Sequence, residues 1–274
     1  MDNVEAILQE VQLALKDAPG IVGVVLGGSR ATGTHRPDSD VDIGICYEAD
    51  KLDLAALDRA ATALDQEHRE GLIAPPGSWG NWVNGGGWLI IGDLHVDLIL
   101  RDIARVQQAI EDCSAGRVTA HYQPGHPHAY LNAMYMGELA ACRILHDPTG
   151  TLQTLHAQTR PYPAKMKQAI LSFYLFEAGF SQELAAKNAD KGDPYYVAAH
   201  VVRSISALNQ VLFALNETYC LNEKRAVQRI DSFQHRPADY MHKVEEIFAT
   251  LGSDPARACR MLGELVEDVR GQST

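Results

Sequence analysis

Two hydrophobic rhythms run along this chain, and the change from one to the other divides it. In the first half, short runs of branched apolar residues recur: IVGVVLGGS at 21–29, VDIGICY at 41–47, WLIIG at 88–92 and HVDLIL at 95–100. Each has the length and composition of a buried strand. Asp93 and Leu94 separate the last two, and Gly92-Asp93 predicts a tight antiparallel connection. Around these runs the apolar residues return every three or four positions. That spacing predicts helices over 1–20 (closing at Gly20), over 52–68, and from Asp102 to Gly116, with an acid at the start and glycine at the end.

The turn-rich stretch HYQPGHPHAY at 121–130 marks a change of architecture. Beyond it, LNAMYMGELAACRIL, KMKQAILSFYLFEAGFSQELAAK and PYYVAAHVVRSISALNQVLFALN all carry helical spacing, as do segments near 238–251 and 254–269. No strand pattern returns. The expected fold class is α+β. Residues 1–124 form a domain with a mixed, antiparallel-containing sheet flanked by helices, and residues 125–274 form an all-α domain. The active site is expected in the cleft between the two.

Composition changes this picture little. The 274 residues carry 24 basic and 35 acidic side chains, a formal net charge of −11, which disfavours general binding to duplex nucleic acid or anionic membrane. Cys46, Cys113, Cys142, Cys220 and Cys259 show neither CxxC nor zinc-ligand spacing, so reduced thiols in a cytoplasmic protein are expected. No apolar run reaches the roughly 20 residues that span a bilayer. His126 and His128 lie beside prolines without a third ligand nearby and are expected in turns. Trp79 and Trp82 sit in the loop APPGSWGNWVNGGG, as a substrate platform or as the loop's packing anchors.

The chemistry concentrates in GGSRATGTHRPDSDVDI, residues 27–43. On a strand, Asp40 and Asp42 point to one face, about 6.5–7 Å apart at the backbone. Such a like-charge pair is costly without a cation between its members, and Mg²⁺ suits hard oxygen ligands that leave positions open for phosphate. Asp97 is a third carboxylate within an apolar strand. If the two strands are neighbours, the three acids can hold two ions in the arrangement used for phosphoryl or nucleotidyl displacement. Gly27 and Gly28 allow close backbone approach, Ser29 and the amides after it can open a short helix that attracts phosphate, and Arg30 adds charge. This is not a P-loop, because no GK[ST] follows.

Gly28, Ser29, Asp40, Asp42 and Asp97 together resemble the signature of the nucleotidyltransferase superfamily that includes DNA polymerase beta. RPDSDVDI, with Arg36 and Ser39, is similar to the wording in small bacterial members. The resemblance implies that Asp40, Asp42 and Asp97 bind metal, with Asp97 as a ligand or also as base. It implies that Gly28, Ser29, Arg30 and Ser39 lie about the triphosphate of ATP or another NTP. RILHDPTG (143–150) and ALNETYCLNEKRAV (214–227) extend the likeness toward bacterial aminoglycoside and lincosamide adenylyltransferases. There a lysine of the helical domain reaches the triphosphate, which makes Lys224 the candidate; Tyr195, Arg203 and Asn209 are candidates to line the cleft.

The expected reaction moves AMP or another NMP to a hydroxyl of a small molecule. The acids Glu138, Glu177, Glu183, Asp190 and Asp193 would suit an aminoglycoside's amines. Two other readings stay open: modification of a protein or tRNA in a toxin–antitoxin setting, and a nucleotide-binding regulator without catalysis. A tRNA substrate would call for a basic face, and Lys165, Lys167, Lys187 and Lys191 make only a modest one. A homodimer is compatible with all three.

Overall fold

A run of branched residues becomes a central strand when both faces can be covered, and the first half of the chain supplies four such runs. A computed structural model describes residues 3–273. Its elements begin α1 (Asn3–Leu15), β1 (Ile21–Leu26), α2 (Gly28–Ala31), β2 (Val41–Tyr47), α3 (Leu54–Leu64), β3 (Gly86–Ile91), β4 (Leu94–Asp102) and α4 (Ile103–Ser114). Two-residue strands β5 (Ala120–His121) and β6 (Tyr130–Leu131) follow, then α5 (Ala133–Ala141), β7 (Arg143–His146) and α6 (Thr151–Gln158). The rest is helical: α7 (Ala164–Asn188), α8 (Pro194–Leu215), α9 (Ala226–Ile230), α10 (Tyr240–Leu251) and α11 (Pro255–Gln272). Met1 and Asp2, assigned to the opening helix from sequence, lie outside the described residues, as does Thr274.

Among the described residues, five strands form one sheet in the order β3-β4-β2-β1-β7. It is mixed as expected: β2 and β4 run parallel, and the other neighbours are antiparallel. Ile91 pairs with Leu94 across the hairpin, with Gly92 and Asp93 at φ +53° and +66°, the positive pair that a two-residue turn of this hand requires. One sheet face carries Val24, Leu26, Val41, Ile43, Ile45, Leu89, Val96, Leu98 and Leu100, buried with Leu8 and Val11 of α1 and Leu57 of α3. Asp53 starts α3 by accepting the amide of Ala56 at 2.9 Å.

Strand β7, with the two-residue β6 before it, corrects the expectation that no strand follows residue 125. RILH is too short to show a period of two, and its half-exposed residues sit at the sheet edge, where pairing with β1 makes the strand.

Contacts divide the chain into two compact units, in place of a single cut after residue 124. The first is Met1–Asp112, Gln123–Gly125 and Tyr130–Pro161; the second is Cys113–Tyr122, His126–Ala129 and Tyr162–Thr274. Within the second, α7 and α8 form the principal helix pair, locked where the Ser204 hydroxyl donates to the Ala178 carbonyl at 2.8 Å. Asp193 and Asp254 cap α8 and α11, each followed by proline at the first helical position. Among the described residues, α8 is the one helix long and apolar enough to cross a membrane, and 67% of its apolar window is buried within the protein.

Candidate active site

Strict alternation along β2 and β4 sends two sets of side chains in opposite directions. Val41, Ile43, Ile45, Val96, Leu98 and Leu100 go to the core, so Asp42, Cys46, Asp97 and Arg101 share the other face. Parallel pairing puts Asp42 directly beside Asp97 in register. Asp40 is exposed and lies one residue ahead of β2, outside the strand itself.

The electrostatics tie these acids together. Burial raises the Asp42 carboxyl from 3.8 to about 6, and the negative charges of Asp97, Asp40 and Glu138 add to the rise, against a smaller opposing effect of Arg30. Burial and Asp40 also push Asp97 up, while His95 acts the other way. Such a cluster is short of positive charge and made of hard oxygens, which fits a small divalent cation. Among the described residues, no three His, Cys, Asp or Glu side chains already form a closed metal-ligand set.

The glycines close the site from the β1 side. The Gly27 amide donates to the Asp42 carbonyl at 2.8 Å. Gly28 has φ +60°, and a Cβ built there would overlap the Asp42 carboxylate. Glycine is therefore required twice, for backbone conformation and for space.

Arg30 and Ser39 take parts that the sequence did not suggest. The Arg30 Nε donates to the carbonyls of Ser39 at 3.0 Å and Asp40 at 3.1 Å, and an Nη reaches Pro37 O at 3.4 Å. The guanidinium, expected at the phosphates, is engaged with the loop that delivers Asp40. The Ser39 hydroxyl accepts the Arg36 amide at 2.9 Å and closes the turn of that loop. Ser29 is half-buried in α2, with its carbonyl accepting from the Thr34 amide at 2.9 Å.

Sequence alone suggests Glu138 only as one acid of the helical half; the structure groups it with the sheet. On α5, it is gripped by Arg101 through two bonds of 2.8 and 2.9 Å and receives the Tyr130 hydroxyl at 3.1 Å. Nothing in local spacing links it to Asp42, because the connection runs through tertiary packing.

A family model of the nucleotidyltransferase domain matches residues 8–114. Those residues belong to the nucleotidyltransferase domain family. The chain is an enzyme of the transferase class, and the matched residues include Gly28 and Ser29 after β1, Asp42 on β2 and Asp97 on β4. A second model, a domain of unknown function (DUF4037), matches residues 130–224. No curated protein matches the chain. Among solved structures, the chain is similar to a nucleotidyltransferase-like protein from Exiguobacterium sibiricum, with 10% identity, 98% of this chain and 78% of that one covered, and a TM-score of 0.46. It is also similar to a spectinomycin adenyltransferase from Enterococcus faecialis, crystallised with ATP and spectinomycin, with 13% identity, 98% of each chain covered and a TM-score of 0.38.

The remaining sequence candidates separate. Outside the nucleotidyltransferase domain, Lys224 is exposed, in the second unit, and stands in a turn ahead of α9, with its amide bonded to Asn222 Oδ1 at 2.8 Å. The helix that follows it begins only at Ala226. Asn209 is in the helical core, accepting the Tyr240 hydroxyl at 2.8 Å. Arg203 pairs with Glu177, Glu183 pairs with Lys187, and Tyr195 is solvent-exposed. Trp82 stacks on Tyr130 and meets Tyr135 edge-on, with Arg105 over its ring, which is a packing anchor's environment.

Proposed function

We propose that this enzyme transfers a nucleoside monophosphate, AMP from ATP in the first instance, to a hydroxyl group of a small molecule and releases pyrophosphate. The observation that carries this reading is the register of Asp42 beside Asp97 on parallel strands, with Asp40 within electrostatic reach and the Gly28 backbone pressed against Asp42. Asp40, Asp42 and Asp97 are the residues that would hold Mg²⁺, which would supply charge neutralisation for the triphosphate and acidify the attacking hydroxyl.

The chain's own groups do the rest. Gly28 and Ser29 leave backbone open to the phosphates at the β1 end of the site. Arg30 holds the 37–40 loop so that Asp40 meets Asp42. The acceptor oxygen bonds to the α-phosphorus, the bond from that phosphorus to the bridging oxygen breaks, and pyrophosphate leaves with the electron pair. A carboxylate oxygen of Asp97 accepts the hydroxyl proton and passes it to solvent. Positioning and fixed charge contribute most of the rate in such displacements.

The test is pyrophosphate release from ATP with Mg²⁺ and a panel of hydroxylated small molecules, followed by mass analysis of the acceptor. Asp42→Asn should fold as wild type and lose transfer by about 10³-fold or more. Full activity in that variant would overturn the reading.

A further inference from the structure

The sheet face that bears the carboxylates continues past Asp97. Trp88 on β3 is the cross-strand neighbour of Asp97, and the alternate positions Leu89 and Ile91 of the same strand turn to the core, so the indole shares the face of Asp97 and Asp42. It is 61% exposed. One side of the ring is backed by Trp79, with centroids 4.5 Å apart and planes inclined by 18°.

This exposed aromatic is held in place. The Trp79 amide donates to Asn84 O at 3.0 Å, its carbonyl accepts from Gln123 Nε2 at 2.6 Å, and Asn84 Nδ2 donates to the Tyr47 hydroxyl at 2.9 Å. Gly86 leaves room for the Trp79 ring, since a Cβ there would come within 3.0 Å of it. A large apolar ring fixed in water beside a row of acids gives a ligand contact area with little ordering left to lose.

Order across the sheet decides which ligand. From one side to the other run Gly28 after β1, Asp42 on β2, Asp97 on β4 and Trp88 on β3. Neighbouring strands are about 4.8 Å apart, so Trp88 stands roughly 10 Å from the strand of Asp42, on the side away from the glycines. In-line displacement places the attacking oxygen and the leaving pyrophosphate on opposite sides of the phosphorus. With phosphates at Gly28, the acceptor enters from Trp88.

Resting on the proposed function, we propose that Trp88, backed by Trp79, is the acceptor subsite. It receives the C–H face of a hydroxylated saturated ring, a sugar or cyclitol, and sets one hydroxyl beside Asp97. An amino substituent on that ring would gain from the indole face as well as from the acids.

The test is calorimetric titration of the full chain with 2-deoxystreptamine, myo-inositol and methyl α-D-glucoside, in Mg²⁺ and α,β-methylene ATP, which cannot transfer AMP. At least one ring probe should bind wild type; Trp88→Thr should weaken it by about tenfold, and Trp88→Phe should restore part of that loss. The proposal is overturned if no ring probe binds wild type, or if both variants bind as wild type does. It is equally overturned if the substitutions weaken the nucleotide analogue and spare the ring probe, which would give the indole to the nucleobase. The titration needs no turnover, so absent pyrophosphate release would count against the reaction and leave this result standing on its own.

Discussion

Arg101 and Glu138 form a two-pronged ion pair, 2.8 and 2.9 Å, between β4 and α5. The Arg101 side chain is only 9% exposed, and its remaining donors go to Val83 O at 2.9 Å and Leu100 O at 3.2 Å. Glu138→Ala would leave that guanidinium buried beside Tyr135 without its counter-charge. The expected cost is about 3 kcal/mol, read as a lower urea midpoint with an unchanged slope. Glu138→Gln, which keeps an acceptor, should cost less.

Arg30 makes a second prediction, about activity. Lysine at that position carries charge but cannot span three carbonyls from one planar group. Arg30→Lys should therefore loosen the 37–40 loop and displace Asp40, with nucleotidyl transfer reduced by about 10–100-fold. The Mg²⁺ concentration for half-maximal rate should rise with it. A variant with normal metal dependence would show that the loop needs no clamp.

Gly28→Ala tests the close approach to Asp42. The φ of +60° alone costs an alanine about 1–2 kcal/mol, and the new methyl group would collide with the carboxylate. Transfer should be lost and thermal stability lowered. In an Asp42→Ala background the stability cost of the same change should shrink, because part of the obstacle is gone; equal costs in both backgrounds would argue against the collision.

Asp65 supplies a prediction in pH. Its side chain is fully buried and accepts Arg69 Nε at 2.9 Å and the Ile90 amide at 2.9 Å, which hold its carboxyl well below the usual range. A depressed carboxyl stabilises the fold above its unfolded value near 3.9, and that contribution fades as pH falls. Asp65→Ala should lose about 1–3 kcal/mol at pH 7, and its gap to wild type should narrow below about pH 4. A gap constant from pH 6 to pH 2 would contradict this origin.

Local sequence carried the acids of the candidate site and left out their neighbours. Asp42 and Asp97 stand out because an acid inside a short apolar run is costly to bury unless a cation or a donor meets it, and the Gly-Ser pair stands at a strand end. Their register, by contrast, is a long-range fact about β2 and β4. Glu138 and Trp88 escape a local reading for the same reason: each is brought to the shared face by pairing or packing that no spacing encodes. Strand β7 depends on an edge offered by β1, which the residues 143–146 do not reveal by themselves. Arg30 is visible as a charge, but its engagement with the carbonyls of residues 37–40 is not.

On β2 and β4 the acids and the core residues alternate one by one, so a single pairing register sets both. A slip of one residue would turn Asp42 and Asp97 into the apolar interior and Ile43 and Leu98 out of it. The hydrophobic core thus proofreads the proposed reaction centre: any chain that has buried its valines and leucines in the right order has, by the same act, aimed its carboxylates.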